Sequence, residues 1–209
     1  MAQGGESTRR LERMPSSILV GPMSRANKPD AADMLILWRE EVAARIADEA
    51  PVADAGRATD EQITSRFLEE KPGKAYIVAR DSHDMRDGRS PIIGMLTLEA
   101  IGSVDSKVAL LSSFFVTARR DEAGQPLYRS QGIGRQMLSK AIQRAWDEGY
   151  ESIELYIDAK TSKDAIKLYK QFDFKRREKY IKRDKVGTVA ITRLYRFTFP
   201  KRPPQMTIL

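Results

Sequence analysis

The sequence predicts an α/β (α+β) domain with a mixed central sheet of about seven strands flanked by about four helices. Three patterns lead to this class. The apolar run at 107–117 is typical of a buried central strand. Segment 151–158 alternates apolar and polar residues, as a strand with one buried face does. Between them, apolar residues from Ile133 to Trp146 recur at helical spacing, so strands and helices interleave along the chain.

The other predicted elements are bounded by residues that favour turns or cap helices. A first strand at 17–20 is expected to close at Gly21 and Pro22. Further strands, rich in apolar and β-branched residues, are expected at 74–80, 91–99, 174–181 and 188–199. Three more helices have side chains that can cap the first turn, namely Asp30 for a helix through Glu49, Thr59 with Gln62, and Thr161 or Ser162. The predicted order is therefore β-α-α-β-β-β-α-β-α-β-β.

Composition excludes several classes of chemistry. The 209 residues contain no cysteine and one histidine, His83. This excludes disulfides, iron–sulfur clusters, thiolate zinc sites, cysteine nucleophiles and metal sites with several histidines. No apolar run approaches the roughly 18 residues that a membrane span needs, so we expect no membrane partner and a cytoplasmic location. The domain is expected at 17–199, between a disordered basic leader at 1–16 and an irregular tail at 200–209.

Positive charge is concentrated towards the two ends of the chain. The net charge is +7, with +5 at 175–185 and −5 over 30–174. Two interpretations of the basic segment stay open. It is either a solvated face or a patch for phosphate-bearing partners such as nucleic acid.

Segment 128–135, Tyr-Arg-Ser-Gln-Gly-Ile-Gly-Arg, has the composition of an anion-binding helix start. It follows a buried strand and opens an amphipathic helix, whose first turn leaves backbone N–H groups without internal partners. The helix dipole favours negative charge there, Gly132 and Gly134 admit close approach to the backbone, and Arg129 and Arg135 add full charge. These features predict a cradle for a pyrophosphate. The segment has neither the P-loop spacing nor the Gly-x-Gly-x-x-Gly dinucleotide fingerprint.

Two motifs together resemble one family. Arg-x-x-Gly-x-Gly at 129–134 resembles the acetyl-coenzyme A loop of the GNAT-type N-acetyltransferase superfamily, and segment 165–174 resembles its Ala-Ile-x-Leu-Tyr-x-x-x-Gly-Phe motif. The resemblance implies acetyl-CoA as cosubstrate, an amine-bearing small molecule or protein as acceptor, and direct attack in a ternary complex. It also implies a set of cofactor-binding residues, of which the first three act through their backbone: Phe114, Phe115, Val116, Arg129, Ser130, Gln131, Gly132, Ile133, Gly134, Arg135 and Ser162.

Two catalytic roles follow from the resemblance and from proton chemistry. Tyr169 is similar in position to the tyrosine that the family places near the coenzyme sulfur. A tyrosine side chain, with a pKa of about 10, is protonated at neutral pH and can donate to a departing thiolate; a core tyrosine is the alternative. The acceptor amine must lose a proton before it attacks. Glu99 is the first candidate for the general base and Asp158 the second, while for each a solvated strand-end carboxylate is the alternative.

The sequence departs from the family pattern at three places. The connection that contains 119–128 is longer than an ordinary strand-to-helix loop, Ser162 stands where the family usually has Asn, and Asp173 stands where it usually has Gly. Two alternatives to an enzyme therefore stay open, a CoA-binding sensor or scaffold without activity and a nucleic-acid-associated protein. The protein is expected to be a monomer or a homodimer.

Overall fold

The computed structural model describes residues 17–23, 25–47, 58–85, 88–102, 105–158, 163–183 and 189–200. They form a seven-stranded sheet and four helices in the predicted order, so the predicted fold class is confirmed. The strands are β1 Ile18–Met23, β2 Lys74–Asp81, β3 Ile92–Ala100, β4 Val108–Val116, β5 Ser152–Asp158, β6 Lys175–Arg183 and β7 Val189–Thr198. The helices are α1 Lys28–Ala47, α2 Asp60–Leu68, α3 Ile133–Asp147 and α4 Lys163–Gln171.

The strands form one mixed sheet in the order β1-β2-β3-β4-β5-β7-β6. Neighbouring strands are antiparallel except β4 and β5, which are parallel and are connected through α3. Parallel neighbours need such a crossover, because a tight turn cannot join strands that run in the same direction. The parallel ladder is short, running from Val108 opposite Ser152 to Leu110 opposite Glu154.

Apolar side chains cover both faces of the sheet. On one face, Met137 and Leu138 of α3 are fully buried and belong to the same cluster as Ile153 of β5. On the other face, Met34 of α1 is fully buried with Met95 of β3. Burial of side chains of this size contributes about 1.5–3 kcal/mol each, so the helices are held firmly against the sheet.

Helix α1 begins earlier than the sequence predicted. The side chain of Asn27 accepts a hydrogen bond from the backbone N–H of Asp30 at 2.8 Å, so Asn27 is the cap and the prediction of Asp30 was wrong. Asparagine and aspartate cap equally well, and the sequence offers both. The Asp30 carboxylate instead accepts from Arg80 at 2.9 Å, which ties α1 to β2.

Strand β1 does not stop at Gly21 and Pro22 as predicted, but continues to Met23. Among the described strands β1 pairs only with β2, and an edge strand tolerates a proline because its outer side needs no N–H donor. The capping box of α2 is confirmed. The Gln62 N–H donates to the Thr59 hydroxyl at 3.2 Å, and the Thr59 N–H donates to Gln62 Oε1 at 3.0 Å.

Several predictions fall on parts of the chain outside the described residues. These are the leader at 1–16, the end of the first helix at Glu49, the caps Thr161 and Ser162, and the tail from 201 onwards. None of the four described helices combines the length and the apolar character that crossing a membrane requires.

Candidate active site

Strands β4 and β5 separate beyond the third residue pair of their parallel ladder. β4 keeps its pairing with β3 as far as Val116, and β5 keeps its pairing with β7 as far as Asp158. Beyond Leu110 and Glu154, no ladder joins the facing edges of β4 and β5. The edge of β4 that faces β5 carries backbone N–H and C=O groups without a strand partner, so an extended ligand can form hydrogen bonds with 111–116. We call this space the β4–β5 gap.

The first turn of α3 presents unpaired amides. Gly132 occupies the N-cap with φ of 80° and makes no side-chain capping bond, and Ser130 also has positive φ, at 65°. The first bond within the helix runs from the Gln136 N–H to the Gly132 carbonyl at 3.0 Å. The N–H groups of the three residues before Gln136 therefore have no backbone acceptor in the described chain. Unpaired amides of this kind at the start of Ile133–Asp147 are the groups that the predicted cradle requires, and their binding of a pyrophosphate stays a prediction.

The start of α3 lies directly beside the β4–β5 gap. A Cβ placed on Gly134 would stand 3.4 Å from Cζ of Phe114 on β4 and 3.6 Å from Cδ2 of Leu168 on α4. Gly134 thus has a packing role that the sequence did not reveal, beside the close backbone approach predicted for it. The contact places the helix amides at the mouth of the gap.

The polar side chains of the loop make several contacts with the protein itself. The Arg129 Nε donates to the Val116 carbonyl at 3.3 Å, so the loop and the end of β4 are joined. Arg135 donates to Gln171 Oε1 at 2.6 Å on the surface. Gln131 Nε2 donates to the Leu127 carbonyl, while the buried Oε1 of Gln131 has no partner among the described residues.

A β-bulge interrupts β4 next to the gap. Thr97 of β3 lies opposite Ser112 and Met95 opposite Phe115, so Ser113 and Phe114 together face one β3 residue. Ser113 has φ of 48°, in the left-handed region that non-glycine residues rarely occupy. A bulge leaves its extra residue out of the ladder and reorients the backbone. From the sequence, 114–116 is expected to be part of a regular strand. The only sign of the bulge in the sequence is the pair Ser112 and Ser113 within an otherwise apolar run.

A cleft of about 350 Å³ opens on the α1 and α2 side of the sheet. We call it the α1–α2 cleft. Its lining combines aromatic, charged and hydroxyl side chains from both helices, from the connection between α2 and β2, and from β2, β3 and β4: Trp38, Ile63, Arg66, Phe67, Glu69, Lys71, Lys74, Tyr76, Thr97, Glu99, Ser112 and Ser113. Trp38 is half-buried, packs against the core of this face and forms part of the cleft wall.

The two carboxylates considered for proton transfer lie on different strands. Glu99 lines the α1–α2 cleft with its side chain 27% exposed, and Lys71 Nζ lies 3.5 Å from its carboxylate. It stands between Lys74 of β2 and Leu110 of β4 in the sheet register. Asp158 ends β5 opposite Thr192, and its side chain is outside the described part of the structure. Glu99 is therefore a carboxylate that the structure brings to the cleft, and the role of Asp158 stays a prediction.

Tyr169 lies in α4 beside the gap. Its side chain is 7% exposed, and its ring centroid is 6.1 Å from that of Phe114 and 5.8 Å from that of Phe174. Helix α4 ends two residues before Asp173, which has φ of 62°. A glycine would adopt that backbone conformation without strain, and aspartate tolerates it, so this departure from the family motif leaves the turn intact.

Burial alters the proton affinity of two groups in the α1–α2 cleft. It lowers the pKa of Lys74, against the opposing effect of Glu99 and Glu69. It raises the pKa of Tyr76 to about 12, with smaller contributions from the same two carboxylates. Tyr76 therefore stays protonated and donates its hydroxyl to the Arg66 carbonyl at 3.2 Å.

The segment that contains the gap, the helix amides and most of the cleft matches a family model. Residues 39–174 match the acetyltransferase (GNAT) family, and the chain belongs to that family. The resemblance drawn from the two motifs is confirmed, and with it acetyl-CoA as the cosubstrate that this family uses. No curated protein matches the chain.

Solved structures share the fold over most of the chain. The GCN5-related N-acetyltransferase from Kribbella flavida is 22% identical, with a TM-score of 0.64 over 88% of this chain and 98% of that chain. An N-acetyltransferase from Staphylococcus aureus Mu50 is 17% identical, with a TM-score of 0.64 over 88% and 99%. The yncA protein from Salmonella typhimurium, solved with its cofactor acetyl-CoA, is 14% identical, with a TM-score of 0.61 over 89% and 96%.

Proposed function

We propose that the protein transfers an acetyl group from acetyl-CoA to an amine acceptor by direct attack in a ternary complex. One observation carries this proposal. Ser113 belongs to the bulge that borders the β4–β5 gap, and it also lines the α1–α2 cleft on the other side of the sheet. A thioester held in the gap and an amine held in the cleft would therefore meet at Ser113. Such positioning converts an encounter of two reactants into a step within one complex.

The residues of the gap fit the cosubstrate. Acetyl-CoA supplies the thioester and the thiol leaving group. The amides of Ile133, Gly134 and Arg135 and the positive end of the α3 dipole suit a diphosphate. The open edge of β4 at 111–116 suits an amide-bearing arm, because a strand edge bonds main-chain groups of either polarity.

Glu99 would accept the proton that the acceptor amine must release. An alkyl amine, with a pKa of about 10, is mostly protonated at pH 7 and has no free electron pair for attack. Glu99 faces the cleft close to Thr97 and the serine pair, and its partial exposure leaves room for a water to relay the proton. Loss of that proton frees the nitrogen lone pair to form the new C–N bond.

The bulge and Tyr169 would complete the transfer. A backbone N–H at 114–116 that faces the β4–β5 gap, where no strand partner is present, would stabilise the negative charge that develops on the thioester oxygen. When the C–S bond breaks, the Tyr169 hydroxyl would donate its proton to the departing sulfur. The packing of Tyr169 against Phe114, which borders the gap, supports this role.

The test is acetyl-CoA-dependent thiol release with a broad amine panel, with the acetylated product identified by mass. Wild-type protein is expected to turn over with at least one amine, and Glu99→Gln to lose about 100-fold in kcat/KM for that amine. The matched control is Glu148→Gln, which changes a carboxylate at the far end of α3. Tight acetyl-CoA binding without turnover on any amine would leave a CoA-binding sensor as the function and would overturn the proposal.

A further inference from the structure

The charges that line the α1–α2 cleft are unequal. Lys71 is 3.5 Å from Glu99, so these two opposite charges neutralise each other. Arg66 and Lys74 then stand against the single carboxylate of Glu69. Before any acceptor enters, the cleft thus has an excess of positive charge beside its aromatic wall.

Lys74 is the most buried of these cations, since the side chains of Arg66 and Lys71 are exposed. Its ammonium donates to the Arg66 carbonyl at 2.9 Å and lies 5.0 Å from the centroid of the Tyr76 ring. It forms no ion pair with a carboxylate in the described chain, and burial lowers its pKa. A half-buried ammonium that contacts no carboxylate directly has an unfavourable free energy, which a negative group on a ligand would offset.

The sheet register separates Lys74 from the place of acetyl transfer. Lys74 pairs with Glu99 of β3, and Glu99 pairs with Leu110 of β4, so Lys74 stands two strands away from β4. Neighbouring strands are about 4.8 Å apart, which places β2 roughly 10 Å from the bulged strand. Lys74 on β2 and the bulge of β4 that contains Ser113 therefore lie on opposite sides of the strand that carries Glu99.

The dimensions of the cleft limit what can span this distance. A volume of about 350 Å³ lies near the lower end of the range for small-molecule sites, which is roughly 300–1,000 Å³. Trp38 and Phe67 add apolar surface to the wall of the cleft. These features suit a short molecule with an amine at one end and a negative charge at the other.

We infer that the acceptor is a small amine that also carries an acidic group, with the amine at Ser113 and Glu99 and the acidic group at Lys74. This inference rests on the proposed function and names its substrate class. Lys74 would then determine specificity, because it distinguishes an amino acid from the corresponding neutral amine. Polyamines and strongly basic peptides would be rejected by the same positive charge.

The experiment compares glycine, β-alanine and 4-aminobutyrate with their carboxamides as acceptors, in wild type and in Lys74→Met. Each acid-to-amide ratio of kcat/KM in the variant is divided by that of wild type, which cancels the intrinsic reactivity of each amine. For at least one pair we expect Lys74→Met to lower the ratio by about 10-fold or more, the usual loss when a charged hydrogen-bond partner is removed. Lys74→Arg should keep the ratio within about threefold, because it restores the charge.

Lys140→Met is the control, since Lys140 is exposed on α3 at the opposite face of the sheet. Urea unfolding of each variant verifies that it is folded. Transfer to the amides as fast as to the acids, with no response to Lys74, would overturn this inference and leave the proposed function standing. Absence of wild-type transfer to any amine, acidic or neutral, would overturn the proposed function and this inference together.

Discussion

Gly134 and Phe114 are in direct apposition at the mouth of the β4–β5 gap. A Cβ on Gly134 would lie 3.4 Å from Cζ of the Phe114 ring, the distance of an ordinary van der Waals contact. The absence of a side chain at Gly134 thus allows the first turn of α3 to pack closely against β4. This spacing makes separate predictions for small and large side chains at Gly134.

Gly134→Ala is expected to fold and to bind acetyl-CoA within about threefold of wild type. The added methyl would make ordinary van der Waals contacts with Phe114 and Leu168, and alanine stabilises a helix by up to about 1 kcal/mol relative to glycine. Urea unfolding and calorimetric titration measure the two quantities. Gly132→Ala is the comparison and should lose about 1 kcal/mol, because its φ of 80° strains any side chain. A 10-fold loss of affinity in Gly134→Ala would contradict this expectation. It would show that the ligand itself, and not only Phe114, occupies the space that a Cβ at this position would take.

Tyr169→Phe is expected to lower kcat by about 100-fold while the KM for acetyl-CoA stays within about twofold. The ring contacts with Phe114 and Phe174 persist in the variant, and only the proton donor is removed. Steady-state kinetics with the best amine measures both constants. Tyr150→Phe, which removes a buried hydroxyl beside Gly73, is the control and should retain the wild-type kcat. An unchanged kcat in Tyr169→Phe would assign Tyr169 to the core alone.

Glu40 of α1 binds the residues that directly follow β4, and its removal is expected to destabilise the protein. Its carboxylate accepts from the Thr117 hydroxyl at 2.8 Å and from the Ala118 N–H at 2.9 Å. Hydrogen bonds to a charged group contribute about 1.5–3 kcal/mol, so Glu40→Ala should lower the free energy of unfolding by about 2 kcal/mol in urea. Ile36→Ala on the same helix, at 55% exposure, should change it by less than about 0.5 kcal/mol. Equal changes in the free energy of unfolding for the two substitutions would contradict the stabilising role of the Glu40 hydrogen bonds.

Stability is expected to fall above pH 10 through Tyr128. Burial and the hydrogen bond to Asp81 at 3.0 Å raise the pKa of Tyr128 to about 12. Because the unfolded side chain loses its proton near pH 10, the folded state binds more protons between pH 10 and 12, and unfolding becomes easier as pH rises. Denaturant titrations from pH 8 to 11.5 should show a smaller decline in Tyr128→Phe than in wild type. The same slope in both proteins would refute the assignment.

Local patterns predicted most of this fold. The helical spacing from Ile133 and the alternation at 151–158 each report burial within one element, so the sequence alone identifies them. The left-handed conformation of Ser113 had no such signal, because nothing in a serine side chain requires positive φ. The α1–α2 cleft could not be predicted either, since residues as distant in sequence as Trp38 and Ser113 line it together.

The motifs predict the position of the cofactor loop, but they do not describe the contacts within it. The arginine predicted to meet phosphate, Arg129, also donates to the Val116 carbonyl, a long-range contact that no local pattern encodes. The role of segment 175–185 in binding nucleic acid stays a prediction. Lys175, Arg176 and Arg177 are exposed there, and a gel-shift titration at low salt measures whether they bind.

The central claim is that a diphosphate binds the amides ahead of and within the first turn of α3. Calorimetric titration with acetyl-CoA tests it most directly, in wild type and in Gly132→Trp with Gly134→Trp. The control is Gly21→Trp, at a glycine with no atom within 4 Å of an added Cβ. We predict one bound acetyl-CoA for wild type and for the control, and at least about 100-fold weaker binding for the folded double variant, whose indoles would cover the amides. Equal binding by all three proteins would contradict the claim.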